Sequence, residues 1–126
     1  MTSPGLKSAV VLVVDDEALL RMLAIDVLEE AGFKVLEAES ADAALLALRA
    51  RPEIRVLFTD VDMPGSLDGL ELARVTHARW PDVGLLIVSG KVRPDPAELP
   101  AGSLFIPKPY QPEALVQHVR EMMRAA

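Results

Sequence analysis

The chain has 126 residues, 51% of them apolar, which is enough for a single domain with one sizeable core. A formal charge of -6 and the lack of any basic run argue against a sequence-independent grip on nucleic acid or an anionic membrane surface. There is no cysteine, which excludes disulfides and thiolate metal sites, and the early apolar run Ala9 to Val14 is too short for a signal core or a bilayer span; a cytoplasmic location is expected.

Ala9 to Val14 is an unbroken aliphatic run, as in a central strand covered on both faces. Glu17 to Ala31 repeats apolar residues at Leu20, Leu23, Ala24, Val27 and Ala31, and Gly32 is a stop signal, so a helix is predicted there. Val35 to Ala38 reads as a weaker strand. Ser40 is placed to cap a helix with the stripe Ala41, Ala44, Leu45 and Leu48, ended by Pro52. Val56 to Thr59 is a third strand, Asp68 to Trp80 a third helix closed by Pro81, and Leu85 to Ser89 a fourth strand. Pro94, Pro96 and Pro100 within Lys91 to Gly102 leave room for about one helical turn at most, a degenerate fourth helix. Leu104 to Ile106 is a short fifth strand, and Pro112 starts a last helix with Leu115, Val119 and Met122 on one side.

Strands alternating with helices indicate βαβ units around a parallel sheet, an α/β fold in one domain over residues 1–126. Ligands of such sheets sit beyond the carboxyl ends of the strands. Strand one runs into Asp15-Asp16, strand three into Asp60, strand four into Ser89, and strand five reaches Lys108. In the doubly wound order 2-1-3-4-5 these residues meet on one rim. Three carboxylates there repel one another by several kcal/mol at an intermediate dielectric and call for a cation. Oxygen donors without His or Cys suit a hard divalent ion, magnesium first. Plainer readings exist for each piece: Asp15 and Asp16 as helix caps, Ser89 as a turn residue, Lys108 as a solvated loop lysine. Their conjunction at separate strand ends is what points to a site.

The segments Val13-Val14-Asp15-Asp16-Glu17, Leu57-Phe58-Thr59-Asp60-Val61-Asp62-Met63-Pro64-Gly65, Ile87-Val88-Ser89-Gly90 and Pro107-Lys108-Pro109-Tyr110, in that order, resemble the receiver domains of bacterial two-component response regulators. The likeness runs from Ala9 to about Arg120 and implies a five-stranded flavodoxin-like (CheY-like) fold. It further implies that Asp60 is the phosphoacceptor, and that Asp15, Asp16, Asp60 and the backbone carbonyl of Asp62 hold magnesium or manganese. Ser89 and Lys108 would bind the phosphoryl group, and Phe105 would be the aromatic that responds to it, against a plainer role in the core. The donor would be a histidine kinase or a histidine phosphotransfer protein, and the output an unspecified protein target, with no output domain expected in the chain. Apolar residues of the last helix would serve a homodimer as easily as the core. Pro64 to Gly69 looks one residue longer than the family's loop.

Three other readings compete with this one. Asp60-Val61-Asp62 resembles the acid-x-acid pair of haloacid-dehalogenase-like phosphatases, but Asp15-Asp16 would lie upstream of that nucleophile and later strand-end acids are missing. A flavodoxin-like cofactor binder needs a glycine- and hydroxyl-rich loop where Asp15-Asp16-Glu17 stands. An interaction module that only keeps the receiver shape would not need the complete residue set.

Overall fold

Each residue from Val10 to Val14 is at least 96% buried, because this strand is an inner strand of a sheet with helices on both faces. The computed structural model describes residues 9–63, 68–91 and 93–125. Strands β1 (Val10–Val14), β2 (Lys34–Ala38), β3 (Ile54–Asp60), β4 (Gly84–Ser89) and β5 (Leu104–Pro107) form a parallel sheet in the order β2-β1-β3-β4-β5. Between them run α1 (Ala18–Glu30), α2 (Ala41–Ala50) and α3 (Gly69–Arg79), and α4 (Pro112–Ala125) follows β5.

Alternate side chains of β1 separate the core into two layers, as a period of two requires. Val10, Leu12 and Val14 pack with Ala41, Ala44 and Leu48 of α2 and Leu72 and Ala73 of α3. Val11 and Val13 pack with Ala24 and Leu28 of α1 and Leu115, Val119 and Met123 of α4.

Local signals set the helix ends. Ser40 Oγ accepts from Ala43 N at 3.1 Å and Asp68 Oδ1 from Glu71 N at 2.9 Å, each satisfying an N–H left open in a first turn. After α1, Gly32 takes φ +95°, and the amides of Gly32 and Phe33 return to the carbonyls of Glu29 and Leu28, closing the helix through a left-handed residue. Between β4 and β5 a single 3-10 turn, Pro96–Glu98, is capped by Asp95 and Glu98, in keeping with the proline content. Arg74 Nη2 of α3 donates to the Glu98 carbonyl at 3.3 Å, anchoring this segment. Among the described residues no helix is long and apolar enough to cross a membrane.

Two expected stripes are corrected. On α1 the buried residues are Ala24 and Leu28, whereas Leu20 and Leu23 are 37% and 53% exposed. The start of α1 stands over the carboxyl-end rim, where these leucines line an open cleft instead of meeting the sheet. On α4 the fully buried set is Leu115, Val119 and Met123, spaced at i+4, while the expected Met122 is half-buried and packs against the same layer beside Gly84. The loop resembling a one-residue insertion falls on 64–67, outside the described residues.

Gly69 opens α3 directly against the end of β3, its N–H on the Val61 carbonyl at 3.1 Å. A Cβ on this residue would overlap the carbonyl oxygen of Asp60, and backbone cannot swing away as a side-chain tip can. Gly69→Ala is therefore expected to destabilise the domain by about 2–3 kcal/mol, read as a lower urea midpoint with an unchanged slope; a midpoint within error of wild type would show that the contact relaxes freely.

Candidate functional site

The register of the sheet staggers the reactive residues along one rim. Val14 pairs with Ala38 on one side and Thr59 on the other, Asp60 with Val88, and Ser89 with Pro107. Asp15, Asp60, Ser89 and Lys108 thus stand at or one step beyond the ends of adjacent strands. The pairing continues past the strands: Asp15 N donates to the Ala38 carbonyl, Val61 N to Val88 and Lys108 N to Ser89, at 2.9–3.2 Å.

Asp15, Asp16 and Asp60 each present a carboxylate oxygen, all within 4.8 Å of one another. Asp60 is 5% exposed and Asp15 7%, while Asp16 faces solvent. Lys108 Nζ donates to Asp60 Oδ2 at 3.1 Å and lies 4.0 Å from Asp15 Oδ2. Burial pushes the Asp15 carboxyl above its ordinary value; the Glu17 N–H on Asp15 Oδ1 (2.9 Å) and the Lys108 charge pull it back, and the charges of Asp60 and Asp16 add to the rise. Burial also raises the Tyr110 hydroxyl, with the Asp15 and Asp60 charges adding to it. Like charges this close repel by about 3 kcal/mol per pair at an effective dielectric near 20. One lysine against three carboxylates leaves two negative charges unmatched, and the donors are all oxygen, so the cluster fits one hard divalent cation.

The two plain readings of Asp15 and Lys108 are only partly met. Asp15 does satisfy an N–H before α1, that of Glu17, yet its other oxygen faces Lys108. Lys108 is not a solvated loop lysine, since its side chain is 25% exposed and its amine lies on Asp60. Ser89 is 2% exposed and donates from Oγ to Asp62 Oδ2 at 3.0 Å; the Asp62 N–H in turn donates to Asp60 Oδ1 at 3.2 Å. Phe105 is half-buried, pairs in register with Ile87 and packs against the α2/α3 layer of the core. It does not touch the acidic cluster through any hydrogen bond of its own, as its ring has none to offer.

Two site features escaped the sequence. Arg21 of α1 donates from Nη1 to the Asp15 carbonyl at 2.7 Å and from Nε to Glu37 Oε1 at 2.8 Å, pinning the acidic turn to β2. Its only sequence signal was a cation off the apolar stripe one turn beyond Asp16. The contact between the Asp62 carboxylate and Ser89 depends on strand register and left no local trace. Tyr110, quoted above only as part of a motif, meets Phe58 edge-on with ring centroids 6.0 Å apart. Beside it opens a cleft of about 540 Å³ running from Asp60 and Lys108 to Leu20 and Leu23.

Comparison with known proteins agrees with this geometry. The family model for the response regulator receiver domain matches residues 11–120. The receiver protein CpdR of Brucella abortus is 29% identical over 120 residues, covering 92% of this chain and 98% of that one. A stretch of the sensor kinase CckA of the same organism is 36% identical over 120 residues, 92% of this chain and 13% of the kinase. The chain spans a quarter or less of several curated relatives it matches, CckA among them. The crystal structure of the NtrX receiver domain from Brucella abortus superposes with a TM-score of 0.83 at 30% identity, covering 92% of this chain and 99% of that one. Neither the family match nor these relatives support the haloacid-dehalogenase alternative. A doubly wound sheet with acids, hydroxyl and lysine on its carboxyl rim, matched over nearly its whole length, makes this chain a member of the response regulator receiver domain family of two-component signalling.

Proposed function

We propose that Asp60 accepts a phosphoryl group from a histidine kinase or histidine phosphotransfer protein in the cytoplasm, and that the modified domain signals to a protein partner through Ser89 and Phe105. The observation that carries this reading is the buried Asp60 carboxylate held by the Lys108 amine at 3.1 Å within a three-acid cluster. A buried carboxylate with a single lysine partner is a costly arrangement to keep for stability alone.

Asp15, Asp16, Asp60 and the Asp62 backbone carbonyl would hold magnesium or manganese, which supplies charge to the donor's phosphoryl oxygens and offsets the repulsion among the acids. With that ion counted, the acids, Lys108 and the cation sum to about zero, so a negatively charged donor is not repelled. Lys108 holds Asp60 Oδ2 and neutralises charge as the phosphoryl group arrives. The Asp60 carboxylate attacks in line, a P–O bond forms, and the bond from phosphorus to the donor's imidazole nitrogen breaks, its electron pair leaving with the imidazole. The product carries about two negative charges and draws the Ser89 hydroxyl towards it. Room vacated by Ser89 lets Phe105 repack on β5, changing the surface around β4 and β5. A macromolecular donor reaches Asp60 over the rim beside α1, where Leu19 and Met22 are 69% and 57% exposed and offer apolar contact.

Incubation with magnesium and acetyl phosphate is expected to add one phosphoryl group by intact mass, an adduct that does not form when the magnesium is chelated beforehand and is absent in Asp60→Asn; a magnesium-independent adduct, or one that survives Asp60→Asn, would contradict the assignment. With a phosphorylated histidine kinase as donor, Met22→Glu should slow that transfer alone and leave the acetyl phosphate reaction unchanged.

The raised Asp15 carboxyl fixes a further sign. The folded state binds that proton more tightly than the unfolded chain, so the stability contributed by the protonated form is present at low pH and is lost as pH rises through the folded value. In cation-free buffer Asp15→Asn, which cannot take up the charge, should be at least as stable as wild type at pH 7, with the gap closing on acidification. Thermal melts across the acid range check this, and a gap that widens towards low pH would reverse it.

A further inference from the structure

The side chain of Asp62 is not used by the reaction just described, yet it accepts a hydrogen bond from Ser89. Ser89 Oγ donates to Asp62 Oδ2 at 3.0 Å across the ends of β3 and β4, between residues 27 apart in the chain. Lys91 N donates to the same Ser89 oxygen at 3.2 Å, which fixes the hydroxyl from its other side. Ser89 is 2% exposed, so water competes little for this proton.

A serine hydroxyl has one proton to donate. It cannot serve the Asp62 carboxylate and a phosphoryl group on Asp60 at once. We infer that the Asp62 carboxylate is a latch on Ser89, competing with the phosphoryl group for that proton and setting how readily the domain switches; this rests on Asp60 being the phosphoacceptor. A hydrogen bond to a charged acceptor is stronger and shorter than one between neutral groups, so it holds the unmodified state. The phosphoryl group is the more highly charged acceptor, so it wins the proton, but only after the bond to Asp62 is broken. Once released, the half-buried Asp62 carboxylate is solvated at the rim. Asp62 is thus a positioning residue that acts through Ser89. Its backbone N–H on Asp60 Oδ1 (3.2 Å) and its carbonyl are untouched by substitution of the side chain.

The test is a titration of beryllofluoride, a phosphoryl mimic, with magnesium, followed by fluorine NMR. Asp62→Ala should bind about tenfold more tightly than wild type, roughly 1.4 kcal/mol. Asp62→Asn keeps an uncharged acceptor and should fall between. In a Ser89→Ala background the gain from Asp62→Ala should vanish, because no hydroxyl remains to be latched. An equal gain with and without the hydroxyl would mean that Asp62 merely repels the anion, and it overturns the latch, as does no gain at all. A second readout needs neither cation nor mimic: NMR couplings should show the Ser89 χ1 populations of Asp62→Ala shifted from those of wild type, even with the Lys91 N–H still on the oxygen. An unchanged rotamer overturns the latch whatever Asp60 does. Wild type that binds no beryllofluoride would instead count against the phosphoacceptor reading, and the rotamer measurement then decides the latch by itself.

Discussion

The rest of the molecule depends on one electrostatic conflict: carboxylates that repel one another are forced to within 4.8 Å by the register of a parallel sheet. Neither Asp15 nor Asp60 can withdraw. Each stands at the end of a strand paired on both sides, and the backbone there is tied by further hydrogen bonds, Asp15 N to Ala38 and Val61 N to Val88. Arg21 adds a bond to the Asp15 carbonyl, and Gly69 lies against the Asp60 carbonyl where a larger residue would not fit. The strain is electrostatic rather than conformational, since positive φ among the described residues occurs only at Gly32 and Gly102, away from the cluster. Lys108 relieves part of it, and what it leaves fits a divalent cation.

The same register sets where the residues of the proposed switch lie. Asp60 and Ser89 end neighbouring strands, and the pairing of β4 with β5 runs on through Lys108 N to the Ser89 carbonyl at 2.9 Å. A change of charge at Asp60 is therefore felt at once by the lysine it touches and by the hydroxyl one strand away. Phe105 sits on β5 opposite Ile87, within the same sheet but facing the α2/α3 layer. Any consequence at its surface must pass through packing, because interiors transmit displacement rather than absorb it.

Much of the fold was legible because its signals are local. The Val-rich β1, the Ser40 cap, the Gly32 stop and the proline-limited segment before β5 each announce themselves within a few residues. The site was legible for a related reason: in a parallel sheet the residue after a strand is placed on the rim by topology, so Asp15, Asp60, Ser89 and Lys108 could be put together without side-chain geometry. Leu20 and Leu23 misled because periodicity reports which face of α1 is apolar and not whether the sheet extends far enough to cover it. Met122 does pack on the core, but Met123, four residues past Val119, is the more deeply buried of the two. Arg21 and the Asp62 carboxylate were illegible since their partners, the Asp15 carbonyl and Ser89, are brought to them only by tertiary register.

The most direct measurement is where a divalent cation settles. Manganese added in small amounts to isotope-labelled protein should broaden, at a single site, the amide signals of residues 15–17 and 60–62, and excess magnesium should reverse it. Asp15→Asn should weaken the effect markedly. Broadening centred elsewhere on the acidic surface, or spread without a centre, would show that these carboxylates do not form a cation seat and would contradict the electrostatic basis of the switch.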